Sequence, residues 1–148
     1  MSYTTDDDLL TVISERSLIQ LSADDPMAGV PDWAVVAEAR AYADAQIDAR
    51  IRQRYALPLA SVPRELRDWA LALARRWLYE RRPDGNALPD AVQSAAKEAL
   101  AALDAVRDGK MSLAIASAPG GETLAQEGGR VVVSAPERLF TADLLSCY

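Results

Sequence analysis

Residues 44–79, DAQIDARIRQRYALPLASVPRELRDWALALARRWLY, form the stretch of the sequence that decides the fold. Two segments in it carry apolar residues at steps of three and four, the spacing of one helix face. Between them, Pro58 and Pro63 cannot donate backbone hydrogen bonds, and each disfavours helix in the residue before it. We therefore predict two amphipathic helices joined by a stiff, non-helical elbow at residues 56–63.

The apolar faces of these two helices predict one shared core. In the first helix, Ile47 and Ile51 lie one turn apart, and Val36 and Ala43 extend the same face backwards. Large aromatic residues at helical spacing belong to a core far more often than to a ligand site. The predicted core residues of the stretch are Ile47, Ile51, Leu66, Trp69, Leu73 and Trp77. Arg40 lies on this apolar stripe, so either the stripe ends there or the arginine pairs with a carboxylate such as Asp44.

Two short helices are predicted before this pair. Thr4 or Thr5 can cap the first, with Asp7 or Asp8 in a capping box, and Ser14 can cap a second helix over residues 15–21. Their apolar residues, expected in the core, are Leu9, Leu10, Val12, Ile13, Leu18, Ile19 and Leu21. Residues 22–31 are predicted to form a loop because proline and glycine punctuate them.

The remaining sequence predicts one more helix and then an arm. That helix runs from Pro89 to Asp108, with Gly109 as its C′ residue. Residues 117–129 contain four glycines and one proline, which is typical of a linker, and residues 130–134 predict a short strand. The predicted fold class is mainly α: a bundle of four to five helices over residues 1–116, followed by a glycine-rich linker and C-terminal arm over residues 117–148.

The composition argues against enzymatic or metal chemistry. The chain of 148 residues has no histidine, which removes the commonest general base and metal ligand, and its single cysteine, Cys147, has no partner in the chain. The loop at residues 22–31 offers too few carboxylates at EF-hand spacing for calcium. Because residues 1–20 lack a basic segment and no apolar run reaches about 20 residues, we expect neither a secretory signal nor a membrane span. We expect no enzyme activity and no cofactor.

Charge is distributed unevenly along the chain, whose net charge is −6. Residues 1–49 hold ten acidic against two basic side chains, whereas residues 50–82 hold nine arginines against three acidic side chains. A basic centre between acidic flanks can bind nucleic acid, can contact the acidic flank of another copy, or can simply be solvated. The overall acidity disfavours a dedicated nucleic-acid-binding domain.

Several segments resemble one phage family in the same order along the chain. They are MSYTTDDDLL and LIQLS near the start, the stretch at residues 44–79, ALDAVRDGKMSL, and ERLFTADLL near the end. The sequence resembles the small morphogenesis proteins of Mu-like phages and prophages, which are similar to phage head–tail connectors. The resemblance implies a structural adaptor that forms a ring, usually of twelve copies, beneath the portal and provides the platform for a tail-terminator or other tail protein.

The resemblance also implies a location and a set of contacts. The protein is expected in the virion neck, and in the host cytoplasm during assembly, with DNA passing through the ring without sequence-specific binding. The expected portal-docking residues are Phe140, Leu144, Leu145 and Tyr148, and the expected subunit or channel contacts are Arg50, Arg52, Arg54, Arg64 and Arg67. Two alternatives remain open: the apolar arm folds back on its own bundle, or the arginine-rich centre makes the protein a helical nucleic-acid-binding regulator.

Overall fold

Five helices make up the protein in a computed structural model that describes residues 2–25, 27–81, 88–113 and 115. They are α1 (Asp6–Val12), α2 (Glu15–Ser22), α3 (Trp33–Ile51), α4 (Arg64–Glu80) and α5 (Asp90–Arg107). The prediction of a mainly α fold with four to five helices is confirmed. No strand occurs in these described ranges, and the predicted strand at residues 130–134 and the arm lie outside them.

Helices α3 and α4 form the antiparallel centre of the bundle. Asp32 caps α3 by accepting hydrogen bonds from the backbone N–H groups of Ala34 and Val35. The chain then turns through the elbow, and α4 begins directly after Pro63, which serves as its N-cap residue. Arg81, at the far end of α4, reaches back to Asp24 just before α3, with 2.8 Å between guanidinium and carboxylate. The two helices therefore run side by side in opposite directions.

The core lies where α3, α4 and α5 meet. Helix α5 packs against both other helices, and its alanines allow the backbones to approach closely. The fully or almost fully buried residues of the three helices include Val36, Ala43, Ile47, Ile51, Leu66, Leu73, Leu78, Ala96, Ala99 and Leu103. Trp69 and Trp77 are only partly buried and pack against this cluster from its edge. The sequence placed both tryptophans in the core, and they contact it without being fully buried.

The first two helices cover one side of this centre. Thr5 and Asp8 form a capping box at the start of α1, and the Ser14 hydroxyl accepts a hydrogen bond from the backbone N–H of Ser17 at the start of α2. Both predicted caps are present. The core prediction for this segment is wrong at Leu10 and Val12, which are 37% and 41% exposed. Because α1 is only seven residues long, it fully buries only Leu9, and Leu10 and Val12 stay partly exposed.

The end of α5 is fixed by a Schellman motif around Gly109, the predicted C′ residue. The backbone N–H of Lys110 donates to the Ala105 carbonyl at 2.8 Å, and that of Gly109 donates to the Val106 carbonyl at 3.1 Å. Gly109 has φ +79°, and a Cβ placed there would lie 1.9 Å from the Arg54 guanidinium. Glycine is therefore favoured by the backbone conformation, whereas the Arg54 guanidinium, at the end of a flexible side chain, can move away from an added Cβ.

We expect Gly109→Ala to lower the free energy of unfolding by about 1–2 kcal/mol, because alanine is strained at positive φ. Urea denaturation monitored by circular dichroism measures the effect. The matched control is Gly29→Ala, since that glycine has no positive φ and no atom within 4 Å of an added Cβ. Equal free energies of unfolding for the two variants would contradict the strained backbone conformation assigned to residue 109.

Among the residues that the structure describes, no helix has the length and apolarity needed to cross a membrane.

Candidate interaction surfaces

Arg50, one of the predicted contact arginines, is engaged within its own chain. Its Nε lies 3.2 Å from the Asp104 carboxylate on α5, and its Nη1 donates to both oxygens of Gln46, one backbone and one side chain, at 2.9 and 2.8 Å. The side chain is only 23% exposed. Arg50 thus ties α3 to α5, a role that the sequence did not predict because Asp104 lies 54 residues away.

The other predicted arginines cluster around the elbow. Arg64 is 90% exposed and lies 3.8 Å from Asp68 one turn further along α4. Arg52 and Arg67 are exposed and form no ion pair with any described residue, and the guanidinium of Arg54 lies against Gly109. Leu57 is 36% exposed in the same connection. We call Arg52, Leu57, Arg64 and Arg67 the elbow end of the bundle, a basic surface that includes one apolar side chain.

The opposite end of α3 has the opposite charge and a larger apolar surface. Met27, Val30 and Trp33 are 89%, 67% and 45% exposed, which is unusual for three large apolar side chains within seven residues. Asp25 lies beside them, and its carboxylate accepts a hydrogen bond from the Met27 backbone N–H at 2.9 Å. We call Asp25, Met27, Val30 and Trp33 the loop end. The sequence predicted a loop here but not its exposed apolar side chains.

A shallow apolar groove of about 260 Å³ lies between α1, α4 and α5. It is lined by Val12, Asp68, Leu71, Ala72, Arg75, Val92 and Ala95. The Arg75 guanidinium lies 5.9 Å from the centre of the Tyr79 ring, and its buried Nε has no hydrogen-bond partner among the described residues. No sequence pattern indicated this groove, because residues far apart in the chain form it.

The residues before α1 form a clasp on α3, centred on Tyr3. The Tyr3 backbone N–H donates to Asp44 at 3.1 Å, and its buried hydroxyl donates to the Asp48 carboxylate. Burial, reinforced by the hydrogen bond to Asp48, holds the pKa of Tyr3 far above its usual value. Burial also raises the pKa of Asp44. Because ionisation of the phenol is opposed by both burial and the neighbouring carboxylates, Tyr3 acts here as a hydrogen-bond donor.

Arg40 completes the clasp from the side of α3. Its Nη1 lies 2.6 Å from the Asp6 carboxylate, and its Nη2 donates to the Ser2 hydroxyl and the Thr4 carbonyl. The sequence left open whether the stripe ends at Arg40 or the arginine pairs with a carboxylate such as Asp44. Arg40 pairs with a carboxylate, that of Asp6, while Asp44 accepts a hydrogen bond from Tyr3. Arg40 thus connects the apolar stripe of α3 to the start of the chain.

The predicted portal-docking residues, Phe140, Leu144, Leu145 and Tyr148, lie outside the described residues. Within the described ranges, no group of three or more histidine, cysteine, aspartate or glutamate side chains is arranged to hold a metal ion. The features that the structure does display are therefore surfaces: a basic elbow end, an acidic and apolar loop end, and an apolar groove.

Comparison with known proteins defines the class to which this helical bundle belongs, the small proteins of Mu-like phages. Residues 3–133 match the family described as Bacteriophage Mu, Gp36. The chain belongs to this family, which confirms the resemblance drawn from the sequence. It is also 32% identical over 130 residues to Gene product J of Escherichia phage Mu, an alignment that covers 85% of this chain and 89% of that protein.

Membership in this family supports a structural or assembly role in a phage. The match spans all five helices, the elbow and the loop end, and it stops before the four predicted docking residues at the end of the chain. The bundle and its surfaces are thus the part of the molecule that the family relationship covers.

Proposed function

We propose that this protein is a head–tail connector that forms a ring, usually of twelve copies, beneath the portal of a Mu-like phage. In this role it provides the platform on which a tail-terminator or other tail protein assembles around the DNA channel. The observation that carries the proposal is the family match over residues 3–133, together with the resemblance of that family to phage connectors. The role is structural and requires neither catalysis nor a cofactor.

Two physical features of the bundle support a role in assembly. Opposite ends of the helical body carry opposite charge, an arrangement that favours a repeating contact between identical copies. The surface also exposes several large apolar side chains, among them Met27 and Val30, which a protein that functions alone would be expected to bury. In the proposed role, the protein works in the virion neck after assembly in the host cytoplasm.

The C-terminal arm is the proposed contact with the portal. Its apolar residues Phe140, Leu144, Leu145 and Tyr148 follow a glycine-rich segment in the sequence and are of the kind that a groove on another protein binds. DNA passes through the ring without sequence-specific contacts.

We expect truncation after Ala116 to abolish co-sedimentation with the cognate portal, because it removes the arm, whereas the full-length chain sediments in a ring-sized complex. Sedimentation velocity of the portal with each chain measures this. Circular dichroism of the truncated chain verifies that the helices are retained. A quadruple variant, with alanine at the four docking residues, is the matched control for the length of the chain and should lose binding in the same way.

Other outcomes assign the contact elsewhere. Equal portal binding by the full-length and truncated chains would contradict the proposed role of the arm and would place the portal site on the helical bundle. If neither chain binds the portal, the proposed connector function is contradicted. The nucleic-acid-binding alternative then predicts retention on heparin at low salt that falls steeply as salt rises. It has less support, because Arg50, Arg76 and Arg81 already pair with carboxylates of the same chain.

A further inference from the structure

We propose that the loop end of one copy binds the elbow end of the next copy, so that identical chains join head to tail. The inference deepens the proposed function and rests on it, since it assigns the surfaces that join neighbouring subunits of the ring. The occupant of each surface is a second copy of this chain, and the two surfaces are different parts of the same molecule.

The geometry of the bundle separates the two surfaces. The loop end precedes α3 and includes its first residue, Trp33, whereas the elbow end begins at Arg52, directly after its last residue, Ile51. At 1.5 Å per residue, the 19 residues of α3 hold the two surfaces about 28 Å apart. Because α4 runs antiparallel to α3, it returns the chain from the elbow to the loop and keeps both surfaces at opposite ends of one rigid unit.

The chemistry of the two surfaces is complementary. At the elbow end, Arg52 has no ion-pair partner in the described part of the chain, and the positive charge of Arg67 acts on Asp8 without a close ion pair. Arg64 is 90% exposed and makes only a long contact of 3.8 Å with Asp68. At the loop end, Asp25 is exposed beside Met27 and Val30. Opposite charge orients the encounter of two copies, while burial of the exposed apolar side chains against the partner supplies affinity.

The symmetry of the contact follows from this pairing. A surface that binds a different surface makes a heterologous contact, which continues from copy to copy and closes into a ring when the rotation between copies allows it. If each surface bound itself, only pairs of copies would form at each contact. The complementary charges favour the first arrangement, because like-charged ends would repel each other.

Two variants test the contact by exchanging the charges. The loop variant carries Asp25→Lys, which leaves Met27 and Val30 in place, and the elbow variant carries Arg64→Glu. Both side chains are exposed, so both variants should fold, which circular dichroism checks. Lys97→Glu and Glu98→Lys, on the exposed side of α5, are the charge-matched controls.

Sedimentation is measured for each chain alone up to about 1 mM, the range of weak association, and with the portal. Each variant should self-associate at least about tenfold more weakly than wild type and bind the portal without completing a ring, because like charges now face each other. An equimolar mixture of the two variants should restore complete rings, since every contact in an alternating ring again joins opposite charges.

The outcomes separate this inference from the proposed function. Complete rings from either variant alone, or failure of the mixture to restore rings that wild type forms, would overturn the head-to-tail contact. If wild type fails to bind the portal, the proposed function fails, and the concentration series of the chains alone still decides the contact. The head-to-tail contact is supported if wild type self-associates in that series, both variants associate more weakly, and their mixture associates as wild type does. Any other pattern overturns the contact.

Discussion

Ile47→Ala should lower the free energy of unfolding by about 2–5 kcal/mol, the largest effect that we expect from a single aliphatic truncation. Ile47 is fully buried in α3, where that helix packs against both α4 and α5. Removing three carbon atoms leaves a cavity that three packed helices cannot fill by a local shift. In a domain of this size, the melting temperature should fall by roughly 10–20 °C, measured by calorimetry or circular dichroism.

Tyr42→Ala on the same helix is the control for this prediction. It removes a larger side chain, but Tyr42 is 42% exposed, so the expected loss is below about 1 kcal/mol. Burial, rather than the size of the side chain, thus determines the order of the two effects. If Tyr42→Ala proved the more destabilising, the orientation of α3 in the bundle would be wrong.

Tyr3→Ala should be about equally damaging, with an expected loss of about 3–5 kcal/mol, because Tyr3 is only 3% exposed. The substitution removes the packed ring and the hydrogen bond to Asp48 together. It also releases the start of the chain from α3, so amide hydrogen exchange in α1 should increase. Urea denaturation gives the total loss, and hydrogen exchange shows whether it is concentrated at the clasp. A loss below about 1 kcal/mol would contradict the burial of Tyr3.

Tyr3→Phe separates the hydroxyl from the ring and has a distinct pH dependence. Because the folded protein holds the pKa of Tyr3 above its ordinary value of about 10, the unfolded chain releases this proton first as pH rises. The stabilising contribution is therefore complete below pH 10 and is lost above it, by up to about 1.4 kcal/mol at pH 11. Tyr3→Phe should lack this loss. If the free energies of unfolding of wild type and Tyr3→Phe changed in parallel between pH 9 and 11, the result would argue against a buried Tyr3 hydroxyl.

The central helices could be predicted because their information is local. Steps of three and four in the apolar pattern, two prolines at the elbow and a glycine after α5 each determine structure within a few residues. The start of α4 after Pro63 and both ends of α5 follow from such signals, whereas α3 ends at Ile51, before the predicted elbow begins. The partial exposure of Trp69 and Trp77 could not be predicted in this way. Spacing identifies the side of a helix that is buried, but not how far the neighbouring helix extends over that side.

The candidate surfaces depended on contacts between distant residues, and the sequence could not supply them. Arg50, predicted for subunit or channel contacts, pairs with Asp104 on α5, a partner that the sequence did not indicate. For Arg40 the sequence offered a carboxylate such as Asp44 as partner, and the fold brings Asp6 to it. In both cases the sequence contains many carboxylates that could pair with the arginine, and only the tertiary fold determines which one lies beside it. The loop end was missed for a different reason: an apolar residue in a loop gives no periodic signal.

The clasp and the end of α5 have a practical consequence for attaching probes. Tyr3 contacts α3 at Asp44 and Asp48, only about 5–10 Å along the helix axis from Ile51, and Leu113 donates its backbone N–H to the Tyr55 hydroxyl beside the elbow. The polypeptide thus enters the bundle and leaves α5 on the same side of the molecule. An affinity tag or fluorescent protein fused before Tyr3 would crowd that side. In a Cys147→Ser variant, a small dye on a cysteine introduced near Gly29 would report from the far side without obstructing it.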